Sequence, residues 1–329
     1  MQEFVPPRLL RNAHVQSILS STVPRKWFVN RNAKGLLQSS KSHLIDCGDG
    51  VRLQGEYAHQ PDNDKGLVIL IHGWEGSANS SYIVSSASEL FNAGFNIFRL
   101  NLRDHGDTHH LNEELFNSVR LDEVVNAVVA ICKQFENPRF YLAGFSLGGN
   151  FALRVATKLL HNEILLEKVV AICPLLDPVK TMSSLEQGLP VYHNYFQMKW
   201  NRSLRKKLLH FPELDYGSQL AKLKTLNTMN AFFVPRFTPF SDPNSYLSAY
   251  AITGDVLQDI CIPSHIVSAE DDPVVLSEDL DSLATNPLLS LELTRYGGHC
   301  GFLQNYRLHS WVDQRLIALF THSEKKSSE

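Results

Sequence analysis

Apolar and polar positions change period several times along this chain. Gly66–His72 (GLVILIH) is a continuous apolar run, the pattern of a strand buried on both faces. Phe95–Leu102, Phe140–Phe145, Lys168–Cys173, Cys261–Ser268 and Leu291–Tyr296 also read as strands. Helical spacing falls between them. Ser80–Asn92 predicts a helix closed by Gly94. Val119–Phe135 predicts another, with Val124, Val125, Val128, Val129 and Cys132 on one face. Gly148–Leu160 and Tyr306–Phe320 complete the set, and Ser42–Asp46 with Val51–Ala58 flank a Gly48-Asp49-Gly50 hairpin turn. Strands alternating with helices predict an α/β fold, a mostly parallel central sheet with helices on both faces.

Two segments break the alternation. Residues 1–40, with prolines at 6, 7 and 24, read as an irregular arm. Asp177–Ile260 is too long for a loop and is aromatic and basic, with Tyr192, Tyr195, Phe196, Trp200, Arg202, Arg205, Lys206 and Lys207. It predicts a helical lid inserted over one end of the sheet. The expected organisation is an arm (1–40), a core (41–176 and 261–321), a lid insertion (177–260) and a disordered tail (322–329).

Composition removes several classes of function. Of 329 residues, 31 are Lys or Arg and 34 Asp or Glu, a formal net charge of −3. No field of one sign exists to recruit nucleic acid. The basic stretch Arg202–Lys207 reads as the solvated face of a lid helix. No apolar run approaches the ~20 residues of a membrane span. The early residues Glu3, Pro6, Pro7, Arg8 and Arg11 do not form a signal peptide. Five scattered cysteines without a C-x-x-C pair suggest neither disulfides nor a cysteine zinc site, and a reducing cytoplasm is expected.

Gly144-Phe145-Ser146-Leu147-Gly148 matches G-x-S-x-G between a predicted strand and a predicted helix. A strand-to-helix turn this sharp needs small neighbours and pushes the serine hydroxyl out at the carboxyl end of the sheet. That makes Ser146 the candidate nucleophile. A hydroxyl needs a base at neutral pH. His299, in Gly297-Gly298-His299-Cys300-Gly301-Phe302, follows the last predicted strand and should reach the same sheet edge. The acid should follow Cys261–Ser268, where Glu270, Asp271 and Asp272 are adjacent and at least two must be solvated turn residues. The residues leave the choice among the three open. The oxyanion donors expected are the N–H of Leu147 and, from the loop His72–Ser77, that of Trp74. Asp104, His105, Asp107, His109 and His110 crowd one segment, as a metal site or a plain polar loop. A serine mechanism accounts for the chemistry without a metal ion.

These residues resemble a family. The chain is similar to α/β-hydrolases, specifically to the YheT-like branch and its eukaryotic abhydrolase-domain lipase relatives. Pro7–Ser17 (PRLLRNAHVQS) resembles that branch's N-terminal pattern. His72–Ser77 resembles its H-G-x-x-G-S loop, Asn101–Gly106 its N-x-R loop, Gly144–Asn150 its nucleophile turn, Asp271-Asp272-Pro273 its acid and Gly297–Phe302 its G-G-H-x-G-F loop. Resemblance to the α/β-hydrolase pattern, with Ala269 as the small residue and Val274 as the apolar one, implies Asp272 among the three acids. Two places depart from the branch: Phe232-Phe233-Val234-Pro235 where an aspartate is common, and Cys300 where an aliphatic residue is usual. The resemblance implies cofactor-free hydrolysis of a small carboxylic ester, in some relatives acylglycerols or phospholipids. The aromatic lid points to an apolar acyl chain. An acyltransferase or thioesterase would use the same triad, and a binding protein could share the scaffold. Oligomeric state is not legible.

Overall fold

The computed structural model describes residues 3–61, 65–159 and 164–321. The tail expected after Thr321 lies outside them, as does Leu160, the expected end of a helix. Ahead of the sheet, the first segment is helical, contrary to the irregular arm expected. Helices α1 (Ala13–Leu19), α2 (Val23–Asn32) and α3 (Lys34–Ser39) follow a 3-10 turn at Arg8–Leu10. The prolines start these elements rather than break them. Pro7 precedes the 3-10 turn and Pro24 sits in the first turn of α2, where a missing N–H costs nothing. Asn12 caps α1 by accepting the His14 and Val15 amides. In α2 the buried residues are Arg25 and Val29, so the helix shows no apolar stripe.

Strands β1 (Ser40–Asp46) and β2 (Arg52–Ala58) form the expected antiparallel hairpin. The chain continues through β3 (Leu67–Ile71), α4 (Ser81–Asn92), β4 (Asn96–Asn101), α5 (Leu121–Gln134), β5 (Phe140–Phe145), α6 (Leu147–Lys158) and β6 (Leu166–Ile172). Five helices then intervene: α7 (Pro178–Gln187), α8 (Pro190–His210), α9 (Gly217–Leu220), α10 (Leu226–Phe237) and α11 (Pro243–Ser248). Their starts are written locally. Asp177 caps α7 ahead of Pro178, Thr225 and Thr228 form a capping box on α10, and Asp242 caps α11. Strands β7 (Ser264–Ala269) and β8 (Leu289–Thr294) and helix α12 (Trp311–Thr321) complete the chain. Helix α12 starts five residues later than its periodicity suggests, because residues 303–310 close a small loop through a Leu303–Ser310 bridge.

The sheet order is β1-β2-β4-β3-β5-β6-β7-β8, antiparallel at β1, β2 and β4 and parallel from there on. All five residues of β3 are buried, as its unbroken apolar run requires. One face packs on Val124, Val128, Phe151 and Val155 of α5 and α6. The other packs on Ile83, Ala87 and Leu90 of α4 and Leu316 of α12. Leu185, Leu226, Val234 and Tyr250 carry the first core into the insertion. The strand order reverses at β3, beside β5, and this places a crevice beyond their carboxyl ends.

Candidate active site

Strand β5 ends at Phe145 and α6 starts at Leu147, leaving Ser146 alone to make the turn, at φ 53° and ψ −117°. This is strained backbone for a residue with a Cβ. Its neighbours must be glycine. A Cβ on Gly144 would lie 2.0 Å from the Gly148 carbonyl oxygen, and one on Gly148 would lie 2.3 Å from that of Ile71. The turn is held by Ser146 N–H donating to Ile172 O at 2.9 Å and by Ser146 O accepting from Asn150 and Leu175.

The loop after β8 brings His299 to this turn. Its Nε2 lies 2.9 Å from Ser146 Oγ, and its Nδ1 lies 2.8 Å from Asp272 Oδ2. The other Asp272 oxygen accepts the Val274 and Val275 amides, which fixes the carboxylate plane. Burial is the largest single influence and pulls the His299 imidazole down, but the charge and hydrogen bond of Asp272 together with the neighbouring Cys300 raise the group to about 9. Asp271 is not the solvated acid expected. It is half-buried, and its Oδ1 accepts the Gly298 N–H at 2.8 Å, one residue before His299. Glu270 is exposed.

Sequence reasoning missed two residues here, Gln16 and Ser17, both buried. Ser17 Oγ accepts the His299 N–H at 2.8 Å and donates to Ala13 O. Gln16 bonds both the N–H and the carbonyl of Leu303. Helix α1 lies so close that a Cβ on Gly298 would meet Ala13 O at 2.4 Å. The only signal was the R-N-A-H-V-Q-S run, which carried the family resemblance without a reason for it.

A cavity of about 390 Å³ opens over Ser146 and His299. Its walls come from α1 and α2 (Ser17, Ile18, Lys26), the loop after β3 (Gly73, Trp74) and α8 (Tyr192, Phe196, Lys199). Among the described residues the Trp74 and Leu147 N–H groups donate to no protein acceptor. The Trp74 indole packs instead, stacked on Phe196 at 5.2 Å and edge-on to Trp200 at 5.4 Å. Phe196 therefore borders the cavity, whereas Trp200 joins the packing behind it. The next residue, Glu75, holds a positive φ of 55°. Burial pushes its carboxyl up to about 8 against the pull of Lys199. Lys199 Nζ donates to Glu75 O at 3.0 Å.

The stretch Arg202–Lys207 is only in part the solvated face expected: Arg202 and Arg205 are exposed, but the lysine end is not. Lys207 is 1% exposed. Its ammonium bonds Asp104 Oδ1 at 2.7 Å and the carbonyls of His109, Asn112 and Glu114. Lys206 pairs with Asp107, and Ser203 Oγ bonds Asp104 O and His109 Nε2. The crowded segment is thus the socket into which α8 plugs. Asp104 spends its carboxylate on Lys207 and the Phe116 amide. His105 gives its Nδ1 to Arg103 O. Exposed His110 makes a ring contact with His210.

A helix-flanked, mostly parallel sheet with a strained serine turn and a histidine loop at its carboxyl edge is the architecture of an α/β-hydrolase. The family model for the alpha/beta hydrolase fold matches residues 66–306, and the chain belongs to that family. YheT of Escherichia coli, named as a candidate esterase, is 25% identical over 99% of this chain and 95% of its own length. Phospholipase ABHD3 of Mus musculus is 22% identical over 91% of this chain and 68% of its own. The esterase Pf2001 of Pyrococcus furiosus shares the fold, with a TM-score of 0.58 and 17% identity over 97% of both chains.

Proposed function

We propose that this esterase/lipase-type hydrolase is a serine carboxylesterase. Ser146 Oγ attacks the ester carbonyl while His299 Nε2 takes its proton and then passes it to the leaving alcohol. Asp272 keeps the imidazole in the right tautomer and stabilises the imidazolium. The Trp74 and Leu147 amides receive the oxyanion, helped by the amino end of α6. Water then attacks the acyl-enzyme by the same route in reverse. The observation that carries the reading is the unbroken chain Asp272–His299–Ser146, at 2.8 and 2.9 Å, ending on a serine held in strained backbone at the floor of a cavity.

The insertion acts as the lid. Val191, Tyr192, Tyr195 and Phe196 of α8 border the cavity, which supports an acyl ester with an apolar chain as substrate. The names of the relatives support the same ester chemistry. The decisive experiment is labelling with a fluorophosphonate, together with a chain-length series of nitrophenyl esters. The wild-type chain should be labelled one-to-one and Ser146→Ala not at all. Stoichiometric labelling of Ser146→Ala, or a wild-type chain inert to both probe and esters, would overturn the reading.

A further inference from the structure

The thiols of Cys173 and Cys300 lie beside His299, and neither has a part in ester hydrolysis. Cys173 follows β6 and Cys300 follows His299, so two separate segments bring their sulfurs together. Both stand in left-handed backbone, at φ 42° and 57°. The two sulfurs and a ring nitrogen of His299 all lie within 4.8 Å of one another. The thiols tie the segments crosswise, Cys173 Sγ to Gly298 O and Cys300 Sγ to Ile172 O, both at 3.7 Å. These are weak bonds that a stronger partner can replace. Cys300 borders the cavity with Ser146 and His299, and Cys173 lies behind it, almost wholly buried.

We propose that Cys173, Cys300 and His299 form an inhibitory site for a soft divalent cation such as Zn²⁺. The ligand set is two thiolates and an imidazole, which favours zinc or cadmium over magnesium or calcium. With Zn–S bonds near 2.3 Å, tetrahedral ligands stand about 3.8 Å apart, so the groups need to close by about 1 Å at most. Three protein ligands leave the fourth position for water or Ser146 Oγ. Binding displaces to solvent one proton from each thiol and, below the raised pKa of His299, the extra proton of its ring, with no change of oxidation state. A bound cation removes the base from Ser146 and stops hydrolysis. The chelate itself stands without the proposed esterase reaction; only its inhibitory effect rests on that reading.

The test uses the full chain in a non-chelating reductant. Cadmium is the spectroscopic probe, read by its ultraviolet thiolate charge-transfer band, and zinc is the inhibitor. One Cd²⁺ per chain should give the band in the wild type and equally in Ser146→Ala, whose lack of hydrolysis leaves the chelate intact. Cys173→Ala and Cys300→Val should lose the stoichiometric band. Measured against each variant's own metal-free rate, the zinc needed for half-inhibition should rise roughly tenfold or more. Ca²⁺ at the same concentration should leave the rate unchanged. A band that persists in both cysteine variants, cadmium bound without a band, or zinc inhibition equal in all three chains would overturn the proposal. Loss of the band in variants that bind cadmium normally by calorimetry would do so too. An inert chain that still gives the band would overturn the esterase reading and leave the chelate standing.

Discussion

Ser17 Oγ holds the backbone N–H of His299 at 2.8 Å, joining the first helix to the loop that carries the candidate base. Ser17→Ala removes the acceptor and leaves that amide unpaired beside the imidazole. A lost hydrogen bond of this kind is worth about 1 kcal/mol, so kcat should fall by up to roughly tenfold with KM little changed. Ser17→Thr, which keeps the hydroxyl, should recover most of the rate. Steady-state kinetics on one short-chain ester decide it, and equal rates for wild type and Ser17→Ala would refute the positioning role.

Asp272 and Asp271 serve different atoms of one loop. Asp272→Asn should leave His299 in the wrong tautomer and cost ~10³–10⁴-fold in kcat. Asp271→Asn keeps an oxygen for the Gly298 amide and should cost about tenfold or less, whereas Asp271→Ala leaves that amide unpaired and should cost more. The order of the three variants in kcat/KM, with folding checked by circular dichroism, is the observable. A severe loss in Asp271→Asn alone would reverse the assignment.

The raised pKa of His299 sets the direction of the pH profile. The imidazole must be neutral to accept the Ser146 proton. The rate should therefore climb as pH rises through a value above the ordinary ~6.5 of histidine and level off beyond it. In Asp272→Asn the raising carboxylate is gone and burial remains, so the residual activity should have its acid limb at lower pH. Profiles of kcat/KM for both chains test this, and a wild-type limb below pH 6 would contradict it.

Lys207 is a structural cation at the root of the insertion. Lys207→Met leaves Asp104 buried without its partner, together with the carbonyls the ammonium served. Breaking one side of a buried pair costs about 3–5 kcal/mol. Urea unfolding should register a loss of that size, and adding Asp104→Asn should restore part of it. A midpoint unchanged in Lys207→Met would show the pair to be dispensable. For the same reason excision of residues 177–260 would orphan Asp104, so the proposed lid role of the insertion is better probed by point substitution.

Phe196→Ala opens the cavity wall that stacks on the Trp74 indole. KM for long-chain esters should rise several-fold while short esters are hardly affected, because a lost apolar contact matters only to a chain that reaches it. The buried area in question corresponds to roughly 1–2 kcal/mol. A KM that shifts equally for every chain length would count against a role in acyl binding.

The readable parts of the molecule were those decided by near neighbours. The unbroken apolar run of β3, the hairpin glycines and the alternation of strands with helices follow from period and turn chemistry. Ser146 was legible because its turn demands glycines two positions either side. His299 was legible because a loop after the last strand can reach only one edge of the sheet. The hidden parts depend on distant partners. A run of lysines and arginines looks solvated until the carboxylate facing one of them is known, and the partner of Lys207 lies at Asp104. The prolines looked like breakers because nothing in the composition distinguishes the first turn of a helix from a loop. Asp271 looked solvated because its partner, the Gly298 amide, is supplied by another loop. Gln16 and Ser17 carry polar side chains that bond nearby carbonyls but also groups of Leu303 and His299, far along the chain.

The bond between Ser17 and His299 spans 282 positions, and this fixes when activity can begin during synthesis. At 5–20 residues per second the ribosome needs roughly 15–55 s to pass from one to the other. For all of that interval Ser17 lacks its His299 partner, and for much of it the Ser146 turn can form without the imidazole beside it. On the proposed mechanism the nascent chain therefore stays chemically silent until the loop after β8 has been made. A chain released before His299 would carry the serine turn without the base proposed for it.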